Sequence, residues 1–416
     1  MNQEIKEKII QIGHGIILEG YKKTDDGICP IDWGKHYFKD LYDFYGGLGI
    51  PREKLGKTGV LYLHYGDMHT SERMYIDLDK DIDKLPRYDK NVSKDQMLLN
   101  GDIVFVDASE DYEGTCKTFV IYNKNDLPLV AGLHTFFGRN KTNLLNIDFQ
   151  KYLTKIPEIK KQIFKYVQGY KVYGISRENI SKIYVNLPNN DEQENIAKIL
   201  DCATRQVELQ EQLVDKLKVQ KKAFMQKLLT PQPDWQKDKL EKLINEGLIT
   251  LYRGKVISKE DIKKFPGNYP IYSSSVINNG EMGEYGKYMF DEELITWSID
   301  GGGNFFYRNK HKFSVTNVCG YIKINTNYFN YKFLAEELIY LHSKLSFDYM
   351  LKAHPSVIKK IYTINYPNLK EQTKIAKLAL NLDKQIELQQ KLLEQYKLRQ
   401  KALMQLLLTG IVRVCK

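Results

Sequence analysis

Residues 188–230 read PNNDEQENIAKILDCATRQVELQEQLVDKLKVQKKAFMQKLLT, and residues 367–409 read PNLKEQTKIAKLALNLDKQIELQQKLLEQYKLRQKALMQLLLT. The second stretch is the first written again 179 positions later, without a gap, and 20 of the 43 aligned residues are identical. A repeat of this kind constrains the architecture before any local reading does. Each copy starts behind a proline, carries acidic residues in its first turn and is followed by Pro231 or Gly410. That is the punctuation of one long helix.

Along each copy the apolar residues climb a four-three ladder. The first runs Ile196, Leu200, Ala203, Val207, Gln210, Val214, Leu217, Lys221, Phe224, Leu228; the second runs Ile375, Ala379, Leu382, Ile386, Gln389, Leu393, Tyr396, Gln400, Leu403, Leu407. Sustained over about five heptads, this spacing predicts a coiled-coil seam. Polar rungs break it at the same two places in both copies, Gln210/Gln389 and Lys221/Gln400, where they cost stability and fix register.

Two matching helices in one chain can pair with each other. An antiparallel pairing sets Ile196 near Leu407 and Leu228 near Ile375. A helix of about 40 residues at 1.5 Å per residue spans roughly 60 Å, longer than one turn of B-DNA at roughly 34–36 Å, and so could serve as a ruler between two modules. Off the seam, Ile199, Leu213, Val219, Leu378, Leu392 and Leu398 are candidates for docking partner subunits; packing within the chain is the equally weighted alternative.

Working outward, the repeats divide the chain into 1–187 (with a short extension 1–29), a helix over 188–230, a second mixed region over 231–366 and a second helix over 367–416. Each mixed region opens on a proline-tryptophan signature, Pro30-Ile31-Asp32-Trp33 and Pro231-Gln232-Pro233-Asp234-Trp235. Short apolar runs between Gly, Asn and Asp predict strands over 60–65, 102–107 and 118–122 in the first, and over 294–298 and 318–322 in the second, with a helix over 331–345. The two regions share little beyond their ends: the scaffold is duplicated and the heads have diverged.

At 416 residues the chain is long enough for two to four cores. The net charge of +10 points toward nucleic acid less directly than it first suggests. Residues 188–230 are balanced, and 367–416, with ten basic and four acidic side chains, hold more than half of the excess. Five cysteines (Cys29, Cys116, Cys202, Cys319, Cys415) stand singly, the pattern of neither a disulfide framework nor a zinc site. No apolar run approaches the ~20 residues of a membrane span and no apolar signal core follows Met1, so the expectation is a cytoplasmic protein with no membrane partner.

Several further strings carry a resemblance. Tyr21-Lys22-Lys23-Thr24 leading to Pro30 and Asp32-Trp33, Leu99-Asn100-Gly101-Asp102-Ile103-Val104 and Gly132-Leu133-His134-Thr135 look like the first target-recognition domain of Type I restriction–modification specificity subunits. Tyr272-Ser273-Ser274-Ser275 with Asn278-Asn279-Gly280, Ile295-Thr296-Trp297-Ser298-Ile299-Asp300-Gly301 and Thr316-Asn317-Val318-Cys319-Gly320 resemble a second such domain. The repeated Glu-Gln…Ile-Ala helix ending in Leu-Leu-Thr is similar to that family's central and C-terminal conserved regions. The first signature, with Ile31-Asp32-Trp33, departs from the family's usual Pro-x-x-Trp, which bears on where the first head begins.

The resemblance implies an α+β protein: two globular α/β target-recognition domains separated by a pair of long antiparallel coiled-coil helices, with pseudo-twofold organisation. It implies a non-catalytic subunit that binds a bipartite site in double-stranded DNA and scaffolds two methyltransferase (M) subunits and motor/nuclease (R) subunits. The chain would bind no cofactor; S-adenosylmethionine would belong to the M subunit, ATP and Mg to the R subunit. A stand-alone or antirestriction DNA-binding protein without such partners is the other reading.

Base reading needs Arg or Lys for guanine and Asn or Gln for adenine, with basic side chains on phosphates. Candidates in the first head are Arg52, Lys54, Lys57, His64, Lys117, His134, Arg139 and Lys141. In the second they are Arg253, Ser273, Ser274, Ser275, Asn278, Asn279, Lys287, Asn304 and Arg308, with the polar loop 272–279 foremost. Which bases they read is not written in the sequence.

The residues supply no active-site set. There is no GxxxxGK[ST] loop, and Gly301-Gly302-Gly303 reads as a turn. The acidic run Asp107, Glu110, Asp111, Glu113 reads as a solvated loop, and His64, His69, His134 and His354 fall outside any paired ligand spacing.

Overall fold

The computed structural model describes residues 3–414 except 26, 72, 113, 276 and 346–351. Glu113 of the acidic run, Val276 of the polar loop and Cys415 therefore lie outside the described residues. The chain forms two compact units, one of Met1–Leu209 with Glu394–Lys416 and one of Gln210–Leu393.

In the first unit a five-stranded sheet is built from β1 (Tyr42–Gly46), β3 (Tyr75–Asp77), β5 (Ile103–Val106), β6 (Thr118–Tyr122) and β8 (Thr135–Asn140), in the order β1-β8-β5-β6-β3. Only β6 and β3 run parallel. Three further strands, β2 (Val60–Leu63), β4 (Arg87–Tyr88) and β7 (Leu129–Ala131), form a second sheet in the order β7-β2-β4. Alternation sorts the central strands' side chains between two cores. Ile103, Phe105, Val120 and Phe136 face one, with Phe149 and Ile159. Val104, Val106, Phe119, Ile121 and Phe137 face the other, with Leu61, Leu63 and Leu129. A sheet covered on both faces reads as continuous apolar runs, as Ile103–Val106 does.

The strand expected over 60–65 stops at Leu63. His64 accepts a hydrogen bond at Nδ1 from the Gly66 amide (3.0 Å) and caps a short helix, α1 (Tyr65–Thr70), so the chain turns there.

The first repeat is helix α2 (Asn190–Leu228). In the second unit a six-stranded sheet follows: β9 (Ile249–Arg253), β10 (Tyr269–Tyr272), β11 (Glu281–Tyr285), β12 (Phe290–Ser298), β13 (Phe305–Val315) and β14 (Cys319–Ile324), in the order β9-β14-β12-β13-β10-β11. All pairs are antiparallel except β10 with β13. Trp297 fills its centre, wholly buried, and its Nε1 donates to the Ala353 carbonyl at 2.8 Å. Gly320 lets the indole in: a Cβ there would lie 2.2 Å from the ring. Helix α3 (Tyr331–His342) packs on this sheet, ending three residues short of the expected 345. The second repeat is helix α4 (Leu369–Leu408).

The two repeats run antiparallel. Within the second unit, Gln210 of α2 bonds Gln389 of α4, and Lys221, farther along α2, bonds Asp383, farther back along α4. Within the first unit, Gln400 of α4 donates to Thr204 of α2 (2.9 Å), and Ile196 shares a core with Leu407. Leu228 and Ile375 share the core of the second unit.

Seam residues Ile196, Leu200, Val207, Gln210, Val214, Ile375, Ala379 and Leu407 are buried. Leu217, Leu228, Leu382, Ile386, Gln389, Leu393 and Leu403 are half-buried.

Each repeat also holds its own head by one glutamine. Gln193 Nε2 donates to the Leu144 and Pro188 carbonyls (2.8 and 2.9 Å) and its Oε1 accepts from the Asn146 amide (2.9 Å). Gln372, its counterpart, donates to Tyr328 and Pro367 (3.0 and 2.9 Å) and accepts from Asn330 (3.0 Å). Both are wholly buried. A buried amide with every bond met is a strong local lock, which explains the repeated glutamine physically.

Candidate DNA interface

In the first head the residues around α1 gather several of the expected groups. A cleft of about 640 Å³ is lined by Arg52, Lys57, Asp67, Lys84 and Arg87, among others. Arg52 lies 3.9 Å from Asp67 on α1, and Lys54 and Lys57 are exposed beside it. The His64 ring lies tilted against Tyr65 (4.7 Å between centroids), Tyr65 meets His134 edge-on at 5.5 Å, and His134 Nδ1 lies 3.6 Å from Asp107. His134 takes a left-handed φ of 55°, uncommon for a residue with a side chain, at an exposed turn. Burial pushes the His64 pKa down; burial also pushes Asp107 up, against the pull of His134.

Other first-head candidates are turned to structural work. Lys117 donates its ammonium to the carbonyls of His69 and Ser71, capping the end of α1. Arg139 clamps Asp102 through Nε and Nη2 (3.2 and 2.9 Å) and also holds the Met97 carbonyl at 2.7 Å. Lys141 pairs with Asp43 at 3.0 Å.

In the second head the loop between β10 and β11 is exposed at Ile277, Asn278 and Asn279. Its base is fastened: the Ser273 amide donates to the Gly280 carbonyl (2.8 Å), Thr316 Oγ1 to Ser273 Oγ (3.1 Å) and Ser298 Oγ to the Ser274 carbonyl (2.6 Å). Ser275 Oγ accepts from the Ile277 amide, and Asn304 donates to the Gly301 carbonyl (both 3.1 Å). Exposed Arg253 lies against the Asn317 carbonyl, and Lys287 sits 3.4 Å above the Phe265 ring.

Arg308 corrects its expected place on the reading surface. It is only 3% exposed; its Nε donates to Thr296 Oγ1 (2.9 Å) and its Nη2 to the Asn279 carbonyl (2.7 Å). The guanidinium is turned inward, toward Thr296 and the underside of the turn rather than toward solvent.

The sequence reading passed over Lys84 and Arg87. Lys84 sits in the acidic run 77–83, where it looks like one more local ion pair, and it does bond Asp81 at 2.9 Å. Nothing local signals that the chain brings it beside Arg52.

The model of the Type I restriction modification DNA specificity domain matches residues 82–219 and 234–398. The chain belongs to this family. A putative type I specificity subunit N-terminus from Mycoplasma pneumoniae is 48% identical over 88 residues, 21% of this chain and 46% of that protein. The putative type I restriction enzyme MjaX specificity subunit of Methanocaldococcus jannaschii is 24% identical over 432 residues, covering 95% of this chain and 97% of that one. This specificity-family chain spans between 35% and 52% of the length of three M. pneumoniae subunits that it matches. The solved S subunit from M. genitalium shares the fold, with a TM-score of 0.60 at 16% identity over 93% of this chain and 97% of that one. No helix among the described residues is long and apolar enough to cross a membrane.

Proposed function

We propose that this specificity-family chain addresses a Type I restriction–modification complex to a bipartite site in double-stranded DNA, one half-site per head, and is not itself catalytic. The observation that carries the reading is the pairing of a duplicated helix with two unlike heads: identical fastenings at Gln193 and Gln372 hold dissimilar sheets. A scaffold duplicated under diverged heads fits two different addresses.

In this reading the cleft at Arg52 and Lys57 and the loop at Asn278 and Asn279 face DNA, with basic groups on phosphates and amides on base edges. The antiparallel helices set the unread spacer. Two M subunits, which hold S-adenosylmethionine, dock on the helices, and R subunits bring ATP- and Mg-dependent chemistry. The complex works in the cytoplasm. Counterpart residues support two equivalent docking faces: Leu209 and Leu388 are 48% and 54% exposed, and Val219 and Leu398 are both 67% exposed.

Methylome sequencing of cells expressing the chain with its M subunit is the test. Methylation at one split motif, with one half changed by exchanging one head, is the expected result. DNA binding with no dependence on M subunits would favour a stand-alone binder, and a continuous motif would overturn the two-head reading.

A further inference from the structure

Asn278, Asn279 and Gly280 take φ of 49°, 57° and 80°, three left-handed residues in succession, two of them bearing side chains. Asparagine enters this region more readily than other side-chain-bearing residues, but as single residues; two in succession ahead of a glycine need their surroundings to hold them.

What holds the tip comes from beneath. Arg308, on β13, reaches up with Nη2 to the Asn279 carbonyl while its plane lies 3.6 Å from the Tyr272 ring, and Nε is anchored on Thr296. No carboxylate among the described residues lies within ion-pair distance of it. A buried cation without a counter-ion is expensive, and burial pushes its pKa down to about 10. An apolar side chain would fill the same space more cheaply. What the arginine adds is a planar fork that fixes one carbonyl, at the turn where the exposed amides are displayed.

We propose that Arg308 is a positioning residue for DNA reading by the second head: it sets the left-handed turn that presents the Asn278 and Asn279 amides, without touching DNA itself. This rests on the proposed function. Amide side chains read adenine through paired donors and acceptors, so a rotated turn loses both bonds together.

The test is R308K in the chain assembled with its M subunit. Lysine keeps the charge but cannot bridge Thr296 and Asn279 while stacking on Tyr272. Expected is a relaxed second half-site, with base discrimination there falling about tenfold, while the first half-site and the spacer stay as in wild type. Amide hydrogen exchange over 277–280 should rise in the same variant. A purely structural role would lower stability without a change confined to one half-site. A folded R308K complex with the wild-type motif in both halves overturns the proposal.

Should R308K fail to fold, N279G decides, because glycine holds the left-handed φ and keeps the carbonyl while removing the exposed amide. An altered second half-site supports the proposal, and an unchanged one overturns it. If the wild-type complex reads no split site, the proposed function itself falls, a result distinct from an unchanged motif in R308K.

Discussion

Gln210 Nε2 donates to Gln389 Oε1 at 2.7 Å, and the two residues occupy the same position in the two repeats. This polar rung is thus satisfied by its own counterpart, and Gln210 also reaches the Gln389 backbone carbonyl at 3.0 Å. At the other rung the counterparts do not meet each other but take partners that are themselves counterparts. Lys221 bonds Asp383 in one unit; Gln400 bonds Thr204 in the other; Lys221 corresponds to Gln400 and Asp383 to Thr204. One contact is neutral and its counterpart is ionic. The ionic one is extended by α3, whose Glu336 meets Lys221 at 3.0 Å and whose Lys332 meets both Glu336 and Asp383.

From this pairing a double-mutant cycle has a definite shape. Q210L alone leaves the Gln389 amide without its partner and should cost about 1–2 kcal/mol; Q389L should cost about the same. The double variant replaces both polar groups with apolar ones at a seam and should return to within about 1 kcal/mol of wild type. Urea unfolding of all four proteins measures the coupling. Additive losses would show that the amides do not depend on each other.

The seam, its polar rungs and the head-and-helix order were legible because period and repetition are properties of the sequence itself. The three-dimensional partners of the rungs were not. Glu336 lies 115 residues from Lys221, and no periodicity links them. Likewise, nothing in the string around Arg308 tells whether its guanidinium faces solvent or Thr296, since β13 alternates and either face accepts a long basic side chain. The partners of Lys117 and Arg139 were hidden for the same reason: a basic residue in or beside a strand looks alike whether it meets phosphate, a backbone carbonyl or a carboxylate. Strand ends were blurred where a side chain redirects the backbone, as His64 does after Leu63.

Glu337 gives the second unit a pH dependence. The carboxyl is wholly buried on α3; Oε1 accepts from the Asn365 amide at 3.1 Å, and Oε2 has no hydrogen-bond partner among the described residues. Burial pushes its pKa from 4.5 up to about 7. A raised folded pKa means that the folded state binds the proton more tightly. The stabilisation is therefore full below about 4.5 and is lost as pH rises through about 7, a change of order 3 kcal/mol. E337Q removes the titrating group and keeps the acceptor. Between pH 5 and 8 the wild type should lose stability relative to E337Q, followed by urea midpoints; parallel curves would sink the assignment.

Docking on the helices can be tested by symmetry. Val219 and Leu398 are counterparts, equally exposed, and neither belongs to a core. An aspartate at an exposed helix position disturbs folding little, within about 0.5 kcal/mol, but opposes burial of that face against a partner. V219D or L398D should each remove one M subunit from the complex, and the double variant both, as read by native mass spectrometry. A double variant that keeps two M subunits would place docking elsewhere.

The spacer prediction concerns the helices as a pair. Deleting a heptad from one alone would move Gln210 away from Gln389 and Lys221 from Asp383, destroying the polar register. Deleting one heptad from each about the central pair, residues 207–213 and 386–392, removes the Gln210–Gln389 bond but keeps the apolar seam in phase and leaves Lys221 facing Asp383 and Gln400 facing Thr204. Seven residues at 1.5 Å per residue shorten each helix by about 10 Å, or about three base pairs at 3.4 Å each. The shortened complex should methylate the same two half-sites with a spacer about three base pairs shorter, and sequencing the methylome reads both quantities at once. Unchanged spacing with intact half-sites would mean that the helices join the heads without measuring the distance between them.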